Sequence, residues 1–243
     1  MNSSKSKIKD LIRSFRIQFI RLRMKFCQKV QLPSGVIAII APHPDDEVLG
    51  CGGLIQRLTS LGHEVYVIFL TGGEGSHKNC CDVSAEHLVA ARRKLSISIN
   101  HSLGVKGLHH LQYPDGGICQ EHNETNKLKL LLENICPSCV LIPHWGEGWR
   151  DHIQAAEVTK HLLSSEILVY EYCVWVWYYN IWKLDWKNAT VLCMNSKEHR
   201  KKVQAVNHYI KPKAPCGNPW SGVLPPLLIN AAISGKELFF KSR

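Results

Sequence analysis

The chain has 243 residues, a mass of 27.5 kDa, 45% hydrophobic residues and 21% charged residues. This length suits one large α/β domain or two small ones, and the composition excludes a disordered chain or a solenoid of repeats. The formal net charge of +10 is concentrated in residues 1–30, which hold nine Lys/Arg and one acid, whereas the rest of the chain holds 21 basic and 19 acidic residues. We therefore expect no nucleic-acid binding by the nearly neutral body.

Export and membrane spanning are also disfavoured by the sequence. No run approaches the roughly 18 apolar residues that a membrane-spanning helix needs, and the N-terminus lacks the apolar core of a secretory signal. The ten cysteines do not have the spacing of a disulfide framework. We therefore expect reduced thiols and a cytoplasmic protein.

A basic amphipathic helix is predicted over residues 8–26, followed by a break at 32–35. Its apolar residues recur on one helical face: Ile8, Leu11, Ile12, Phe15, Phe19, Leu22 and Phe26. Such a helix either lies in a membrane interface, here at the inner face of the membrane, or docks on its own domain or a partner subunit. We predict a helix and linker at 1–33 and one domain at 34–243.

Strands and helices then alternate along the chain. The predicted order is strand 36–41, helix 46–61, strand 65–70, helix 85–101, strand 108–113, helix 126–135, strand 140–143, helix 152–163, strand 168–175 and helix 197–209. The last thirty residues give no clear pattern. This alternation predicts an α/β domain in which helices cover both faces of a mostly parallel sheet.

Polar segments follow four successive strands of this predicted sheet. They cover residues 43–47, 71–75, 114–117 and 144–152. In open α/β sheets, ligands bind at the carboxyl ends of the strands. The four segments therefore predict the rim of an active site built from loops on a rigid scaffold.

The first and fourth segments carry the residues of a predicted metal site. His43 and Asp46 follow the first strand closely, and His152 supplies a third ligand at the start of a helix. Two imidazoles and a carboxylate suit Zn²⁺, with Fe²⁺ as an alternative. Three adjacent acids repel one another unless a cation is present. Asp45 remains available as a general acid–base that takes the proton of a metal-bound water.

These motifs resemble those of the PIG-L (LmbE-like) zinc de-N-acetylases. The matching motifs are Ala41-Pro42-His43-Pro44-Asp45-Asp46-Glu47 with Gly50 and Gly52-Gly53, then Thr71-Gly72-Gly73-Glu74-Gly75, Arg92, Pro114-Asp115-Gly116, Asp151-His152 and the segment 235–239. The resemblance covers about residues 36–240. It implies a Rossmann-like three-layer sandwich that removes the N-acetyl group from an N-acetylglucosamine-type sugar conjugate and releases acetate. The conjugate would be a glycan, a glycolipid or a thiol-glycoside precursor.

The same resemblance implies roles for individual residues. His43, Asp46 and His152 would be the metal ligands and Asp45 the general base, while Arg92 and Asp115 would contact the sugar. The chain departs from the family at Trp149, where the family often has the first His of His-Pro-Asp-His. His144 in the same loop is the predicted substitute for that catalytic histidine.

Two other functions stay open at this stage. A metal phosphoesterase could use the same carboxylates, although two-metal sites need more ligands than the three found here. A catalytically degenerate glycan-binding protein, held at a membrane by the N-terminal helix, would bind no zinc. Metal analysis and a comparison of acetate with phosphate release separate the three.

Overall fold

A computed structural model describes residues 2–77, 83–179 and 184–242, with side chains from residue 8 onward. Helices and strands alternate through most of the chain, as the sequence predicts. In chain order the elements are α1 (Asn2–Arg23), β1 (Gln28–Lys29), β2 (Val36–Ala41), α2 (Asp46–Ser60), β3 (Glu64–Thr71), α3 (Ala85–Ser102), β4 (Gly107–Tyr113), α4 (Glu124–Ile135), β5 (Cys139–Pro143), α5 (Arg150–Leu162), β6 (Leu168–Tyr172), β7 (Ala189–Cys193), α6 (Ser196–Ile210), α7 (Pro226–Ala232) and β8 (Lys236–Lys241).

The strands of the described residues form one mixed sheet in the order β1-β7-β8-β6-β5-β2-β3-β4. Every pairing is parallel except those of β8, which runs antiparallel between β6 and β7. The predicted α/β fold with a mostly parallel sheet is confirmed. The sequence analysis did not find β1, β7, α7 and β8, which lie before the first predicted strand or after the last one.

Both faces of the sheet are buried, because helices pack on each side. On β2, Ile37 and Ile39 belong to one hydrophobic cluster, with residues of α2, α3 and α6. Ala38 and Ile40 belong to a second cluster on the other face, with residues of α4 and α5. This arrangement explains why β2 reads as an uninterrupted apolar run rather than an alternating one.

Helix α2 lies unusually close to the sheet at Gly50. A Cβ atom at this position would lie 2.3 Å from Cδ2 of Tyr172 on β6. The Tyr172 hydroxyl donates a hydrogen bond of 2.7 Å to the carbonyl oxygen of Ile40, so its ring cannot simply swing away. Glycine is therefore needed for the approach that brings the first turn of α2 onto the ends of the strands.

Helix α1 docks on the domain, but through a different face from the one predicted to be apolar. Ile17, Ile20 and Met24 are buried in a third hydrophobic cluster that includes Trp177 and Phe240. The predicted apolar row points outward instead. No helix among the described residues is long and apolar enough to cross a membrane.

Among the cysteines of the described residues, seven have free thiols and one is disulfide-bonded, so the prediction of reduced thiols is wrong at that one. The free thiols are those of Cys27, Cys51, Cys119, Cys136, Cys139, Cys173 and Cys193. Cys216 is disulfide-bonded. The disulfide escapes sequence reading because bridges depend on tertiary proximity and not on spacing along the chain.

A buried ion pair joins α6 to β8 beneath α2. Lys202 Nζ lies 2.7 Å from Glu237 Oε1, and both side chains are about 1% exposed. The Glu237 carboxylate also accepts hydrogen bonds from the amides of Gly53 and Leu54, while Lys202 donates to the carbonyl oxygen of Leu49. The pair therefore fixes the last strand against the helix that begins at the site.

We expect Lys202→Ala to lower the free energy of unfolding by about 3–5 kcal/mol, because Glu237 would keep a buried charge without its partner. The neighbouring Lys201 is exposed and provides a matched control, for which we expect a change below about 0.5 kcal/mol. Urea unfolding of both variants measures the difference. Equal midpoints for the two would contradict the assigned contribution of the pair.

Candidate metal centre

A cleft of about 510 Å³ lies at the carboxyl ends of β2, β3, β4 and β5. Strand β2 sits between β3 and β5, so the chain leaves β2 toward one side of the sheet and later returns to the other. Such a switch point leaves a crevice in which α/β proteins bind ligands. The cleft is lined by His43, Asp45, Asp46, Leu49, Gly75, Ser76, Arg92, Asp115, Gly116, Trp149, Arg150, Asp151, Trp175, Ser221, Gly222, Val223 and Leu224.

Two imidazoles and one carboxylate meet at this cleft. Asp46 Oδ2 lies 3.2 Å from His43 Nδ1 and 3.3 Å from His152 Nε2. One ligand atom from each of the three residues can be chosen so that all lie within 4.8 Å of one another. The structure thus brings together the three residues that the sequence predicts as metal ligands. His43 follows β2, Asp46 begins α2, and His152 lies in the first turn of α5.

The chemistry of this cluster fits a divalent cation. His152 is fully buried, yet neither of its ring nitrogens makes a hydrogen bond. Buried polar atoms are nearly always hydrogen-bonded or bound to an ion, so a buried imidazole with a carboxylate oxygen 3.3 Å from each nitrogen, but no aligned hydrogen bond to either, indicates a missing cation. Two nitrogen donors and one oxygen donor suit Zn²⁺ or Fe²⁺ and leave coordination positions open for water and substrate.

Glu147 lies behind His152. Its Oε2 is 3.3 Å from His152 Nδ1, on the side of the ring opposite to Asp46. The same carboxylate accepts hydrogen bonds from the backbone amides of residues 174–176. These bonds end β6 at Tyr172, so the predicted strand 168–175 stops early. They also hold the Glu147 carboxylate where it can orient His152.

His43 is held in a similar way from its other nitrogen. Its Nε2 lies 3.3 Å from Asp115 Oδ1 and 3.3 Å from Asp151 Oδ2. Both carboxylates are themselves fixed by backbone amides, since Asp115 accepts from Gly75 and Asp151 from Gly116, each at 2.7 Å. Asp115, predicted as a contact to the sugar, therefore lines the cleft, but its two oxygens already have partners. Oδ2 accepts from the amide of Gly75, and Oδ1 lies beside His43.

The carboxylates around the two imidazoles dominate their protonation. Burial alone would lower the pKa of His152, but Asp46 and Glu147 outweigh it and raise that pKa to about 9. The pKa of His43 is likewise raised well above its ordinary value, against the effect of burial, by Asp115, Asp151 and Asp46. The surrounding carboxylates therefore favour a proton on each ring in the metal-free protein, and a cation must displace it.

Asp45 stands beside the cluster in a strained backbone conformation. Its φ of 135° lies in a region that residues other than glycine rarely adopt, at a cost of about 1–3 kcal/mol. The amides of Val48 and Leu49 donate to its carbonyl oxygen and hold the turn. Burial raises the pKa of the Asp45 carboxyl well above its ordinary value, although Arg92 opposes this effect. A carboxyl group whose pKa is raised in this way holds a proton more readily than an ordinary carboxylate, as a general acid–base requires.

Glu47, the third acid of the motif, does not join the metal cluster. Its carboxylate accepts hydrogen bonds from Asn100 (2.9 Å), from the Tyr209 hydroxyl (2.7 Å) and from the backbone amide of Asp45 (3.0 Å). Burial raises the pKa of Glu47 to about 7. Glu47 therefore supports the strained turn at Asp45. Of the three adjacent acids, only Asp45 and Asp46 line the cleft.

Arg92 lies in the cleft wall, where it binds backbone rather than presenting a free guanidinium. It donates to the carbonyl oxygens of Gly73 (3.0 Å) and Pro44 (2.9 Å), and its Nη2 lies 3.8 Å from Asp45 Oδ2. A side chain at Gly73 would collide with this guanidinium, at 2.2 Å from Nη1. Arg92 thus ties the loops after β2 and β3 together and balances the charge of Asp45.

His144, predicted as a catalytic histidine, lies outside the cleft. Its backbone amide donates to the carbonyl oxygen of Tyr172, which extends the pairing of β5 with β6 by one residue. Its ring packs on Phe240, with centroids 4.5 Å apart, and lines a separate pocket with Glu171. This direction of the side chain separates His144 from the metal cluster.

The residue that replaces the family histidine forms part of an aromatic wall. Trp149 stacks on Trp175, with ring centroids 5.3 Å apart and an angle of 15° between the planes, and both rings line the cleft. Trp149 remains 44% exposed. A flat apolar surface of this kind suits the face of a sugar ring.

The sequence analysis does not predict the contacts that Glu147, Asp151 and Trp175 make in this site. Asp151 belongs to the Asp151-His152 motif and Glu147 to a polar rim segment, but nothing in their local spacing indicates that either carboxylate lies against an imidazole. The sequence pattern predicts Trp175 at the end of a strand. The positions of these three side chains depend on tertiary contacts between the loops that follow β5 and β6.

Comparisons with known proteins relate the chain to a family and to individual deacetylases. The model of the PIG-L family, described as GlcNAc-PI de-N-acetylase, matches residues 38–163. The chain is 31% identical over 122 residues to a diacetylchitobiose deacetylase of Thermococcus kodakarensis, covering 49% of this chain and 45% of that protein. It is also 31% identical over 155 residues to a 1D-myo-inositol 2-acetamido-2-deoxy-alpha-D-glucopyranoside deacetylase of Corynebacterium kroppenstedtii, covering 51% and 39%. The chain therefore matches less than half the length of these two relatives.

Solved structures support the fold. The N,N'-diacetylchitobiose deacetylase of Pyrococcus horikoshii aligns with a TM-score of 0.61 and 22% identity, over 72% of this chain and 69% of that one. GalB, a 4-carboxy-2-hydroxymuconate hydratase of Pseudomonas putida, aligns with a TM-score of 0.59 and 16% identity, over 72% and 78%. Because a hydratase shares the fold, the fold alone does not assign the reaction.

We expect the affinity for Zn²⁺ to rise with pH up to about pH 9, by about tenfold per pH unit for each proton displaced. The raised pKa of His152 means that protons compete with the metal throughout the neutral range. Calorimetric titration at pH 7.5 in buffers of different ionisation enthalpy should show that Zn²⁺ binding releases protons. An enthalpy independent of the buffer would contradict protonated imidazoles.

We expect Glu147→Gln to weaken Zn²⁺ binding by about 10–100-fold, because the amide no longer holds His152 in one orientation by charge. The glutamine oxygen can still accept from the amides of Val174 and Val176, which bind Oε1 of Glu147, while the bond from Trp175 to Oε2 is lost, so we expect the variant to fold. Glu157 is exposed on the same helix as His152, and Glu157→Gln serves as the control. Competition with a chromogenic chelator measures both affinities, and equal values would argue against a role for Glu147.

Proposed function

The chain belongs to the PIG-L family, and from this membership we propose that it is a metal-dependent hydrolase that removes the N-acetyl group from an N-acetylglucosamine-type sugar conjugate. The observation that carries the proposal is the cluster of His43, Asp46 and His152 in a cleft with Asp45 beside it. The two curated relatives, both deacetylases of acetamido sugars, support the same reaction class.

His43, Asp46 and His152 would hold the metal ion, for which Zn²⁺ is the first choice and Fe²⁺ the alternative. When bound, a divalent cation lowers the pKa of a water molecule to about 7 and polarises a carbonyl oxygen. Glu147 orients His152, while Asp115 and Asp151 orient His43. These contacts keep the two imidazoles aimed at one point without help from the substrate.

Asp45 acts as the general base and then as the general acid. It accepts a proton as the water oxygen adds to the acetyl carbon, and it returns that proton to the nitrogen as the C–N bond breaks. The products are acetate and a free amino sugar. Arg92 holds the Pro44 carbonyl and lies close to Asp45, so it positions this group and limits the rise of its pKa.

The sugar would enter along the wall formed by Trp149 and Trp175. Stacking on these rings suits the apolar face of a pyranose, and the hydroxyl groups would face the polar side of the cleft. Arg92 and Asp115 line this cleft, but their polar atoms already serve the loops and His43. We therefore assign them to the positioning of catalytic groups rather than to the sugar, and we leave His144 out of the reaction.

A phosphoesterase of the two-metal type remains the less supported alternative. The second group of donors, His43, Asp115 and Asp151, shares His43 with the first, so the two groups do not supply independent ligand sets.

The other alternative, a binding protein without catalysis, would need no base beside the metal. Asp45 is nevertheless held there at a cost in backbone strain.

We expect Asp45→Asn to bind as much Zn²⁺ as the wild type but to lower kcat by about 10²–10⁴-fold, because the amide cannot take the proton. Metal content is measured by mass spectrometry, and turnover by free amine and acetate from a panel of acetamido sugars that includes diacetylchitobiose. Asp185→Asn, at an exposed aspartate outside the cleft, is the control. Undiminished acetate release by Asp45→Asn would refute the assigned base, and phosphate release from ester substrates would favour the alternative.

A further inference from the structure

A row of large apolar side chains on α1 and the turn after it faces away from the domain. Leu11, Phe15 and Phe26 are 71%, 72% and 81% exposed, and the rest of the row is at least 37% exposed. Of the thirteen large exposed hydrophobic residues among those described, seven belong to this apolar row: Ile8, Leu11, Ile12, Phe15, Phe19, Leu22 and Phe26. A concentration of this kind indicates an interaction surface rather than scattered exposure.

The apolar row cannot turn inward, because the opposite face of α1 is already docked. Ile17, Ile20 and Met24 are buried in the domain. Arg16 donates to the carbonyl oxygen of Tyr178, and Arg21 donates to that of Asn230 at 2.9 Å. Rotating the helix to cover the apolar row would break these contacts and expose three core side chains.

The charge around the apolar row identifies its partner. Residues 1–30 hold nine Lys/Arg and one acid, and the helical repeat places the exposed Lys9, Arg23 and Lys25 along the two borders of the row. A second copy of the helix would bring two strongly cationic segments together. An anionic lipid surface instead accepts the apolar row between its acyl chains and the lysines and arginines among its headgroups.

We propose that α1 binds the surface of an anionic membrane through the apolar row, lying in the interfacial plane without crossing the bilayer. The row extends over about 27 Å, long enough for several lipids. This inference does not depend on the proposed reaction.

Direct side-chain contacts connect α1 to the cleft. The Arg13 guanidinium lies 3.9 Å from the centre of the Tyr178 ring, and Tyr178 makes an edge contact with Trp175, which lines the cleft. A membrane-bound α1 would therefore hold the cleft wall at a fixed distance from the lipid surface. A substrate anchored in the membrane by a lipid would then lie close to the cleft.

Flotation of the full-length, metal-loaded protein with vesicles tests the proposal. We expect binding to vesicles of phosphatidylcholine with phosphatidylglycerol, weaker binding to phosphatidylcholine alone, and a loss of affinity in high salt. The triple variant Leu11→Ser, Phe15→Ser, Phe26→Ser should bind at least about tenfold more weakly. The control replaces three exposed residues elsewhere, Leu61→Ser, Ile97→Ser and Leu130→Ser, and should bind like the wild type.

Three outcomes would overturn the proposal. The first is wild-type protein that does not float with anionic vesicles, and the second is a triple variant that floats as well as the wild type. The third is a wild-type dimer that the triple variant loses while neither binds vesicles, which would assign the apolar row to a second copy of the chain. Acetate release from a soluble acetamido sugar should be equal in all variants, so a failure of the membrane inference is distinguishable from a failure of the proposed reaction.

Discussion

The contact of one buried carboxylate with two imidazoles is the interaction on which the rest of the site depends. Asp46 Oδ2 lies within 3.3 Å of nitrogens from both His43 and His152, and the three side chains are at most 13% exposed. A buried carboxylate is stable only beside positive charge, which protons on the imidazoles supply in the metal-free protein. A divalent cation would supply the same positive charge and could also activate a water molecule.

Much of the surrounding structure serves to keep this contact in place. Glu147 contacts His152 and also accepts hydrogen bonds from residues 174–176. It therefore positions a predicted metal ligand and shapes the loop that carries Trp175. Arg92 and Glu47 hold the turn at Asp45 from opposite sides. The backbone strain at Asp45 persists because these bonds over-determine its position, as is common at catalytic sites.

Function in this fold is carried by the residues of the cleft rather than by the sheet. Deacetylases and a hydratase share the architecture, so the reaction must be argued from the metal ligands and the base. Trp149 marks a position at which the cleft departs from the family motif. Where the family often has a histidine, this chain has an aromatic wall of Trp149 and Trp175, and the three predicted metal ligands still lie together.

The sequence by itself determined the alternation of strands and helices from β2 to α6, and it identified His43, Asp46 and His152 as a group. Both results follow from local rules, since apolar periodicity marks the elements and the carboxyl ends of parallel strands meet at one edge. It could not determine the partners that orient these ligands, the outward direction of His144 from the cleft, the insertion of β8 between β6 and β7, or which face of α1 docks. Those features depend on contacts between residues far apart in the chain. Only the packed tertiary structure decides them, because a side chain's direction is set by what surrounds it in space.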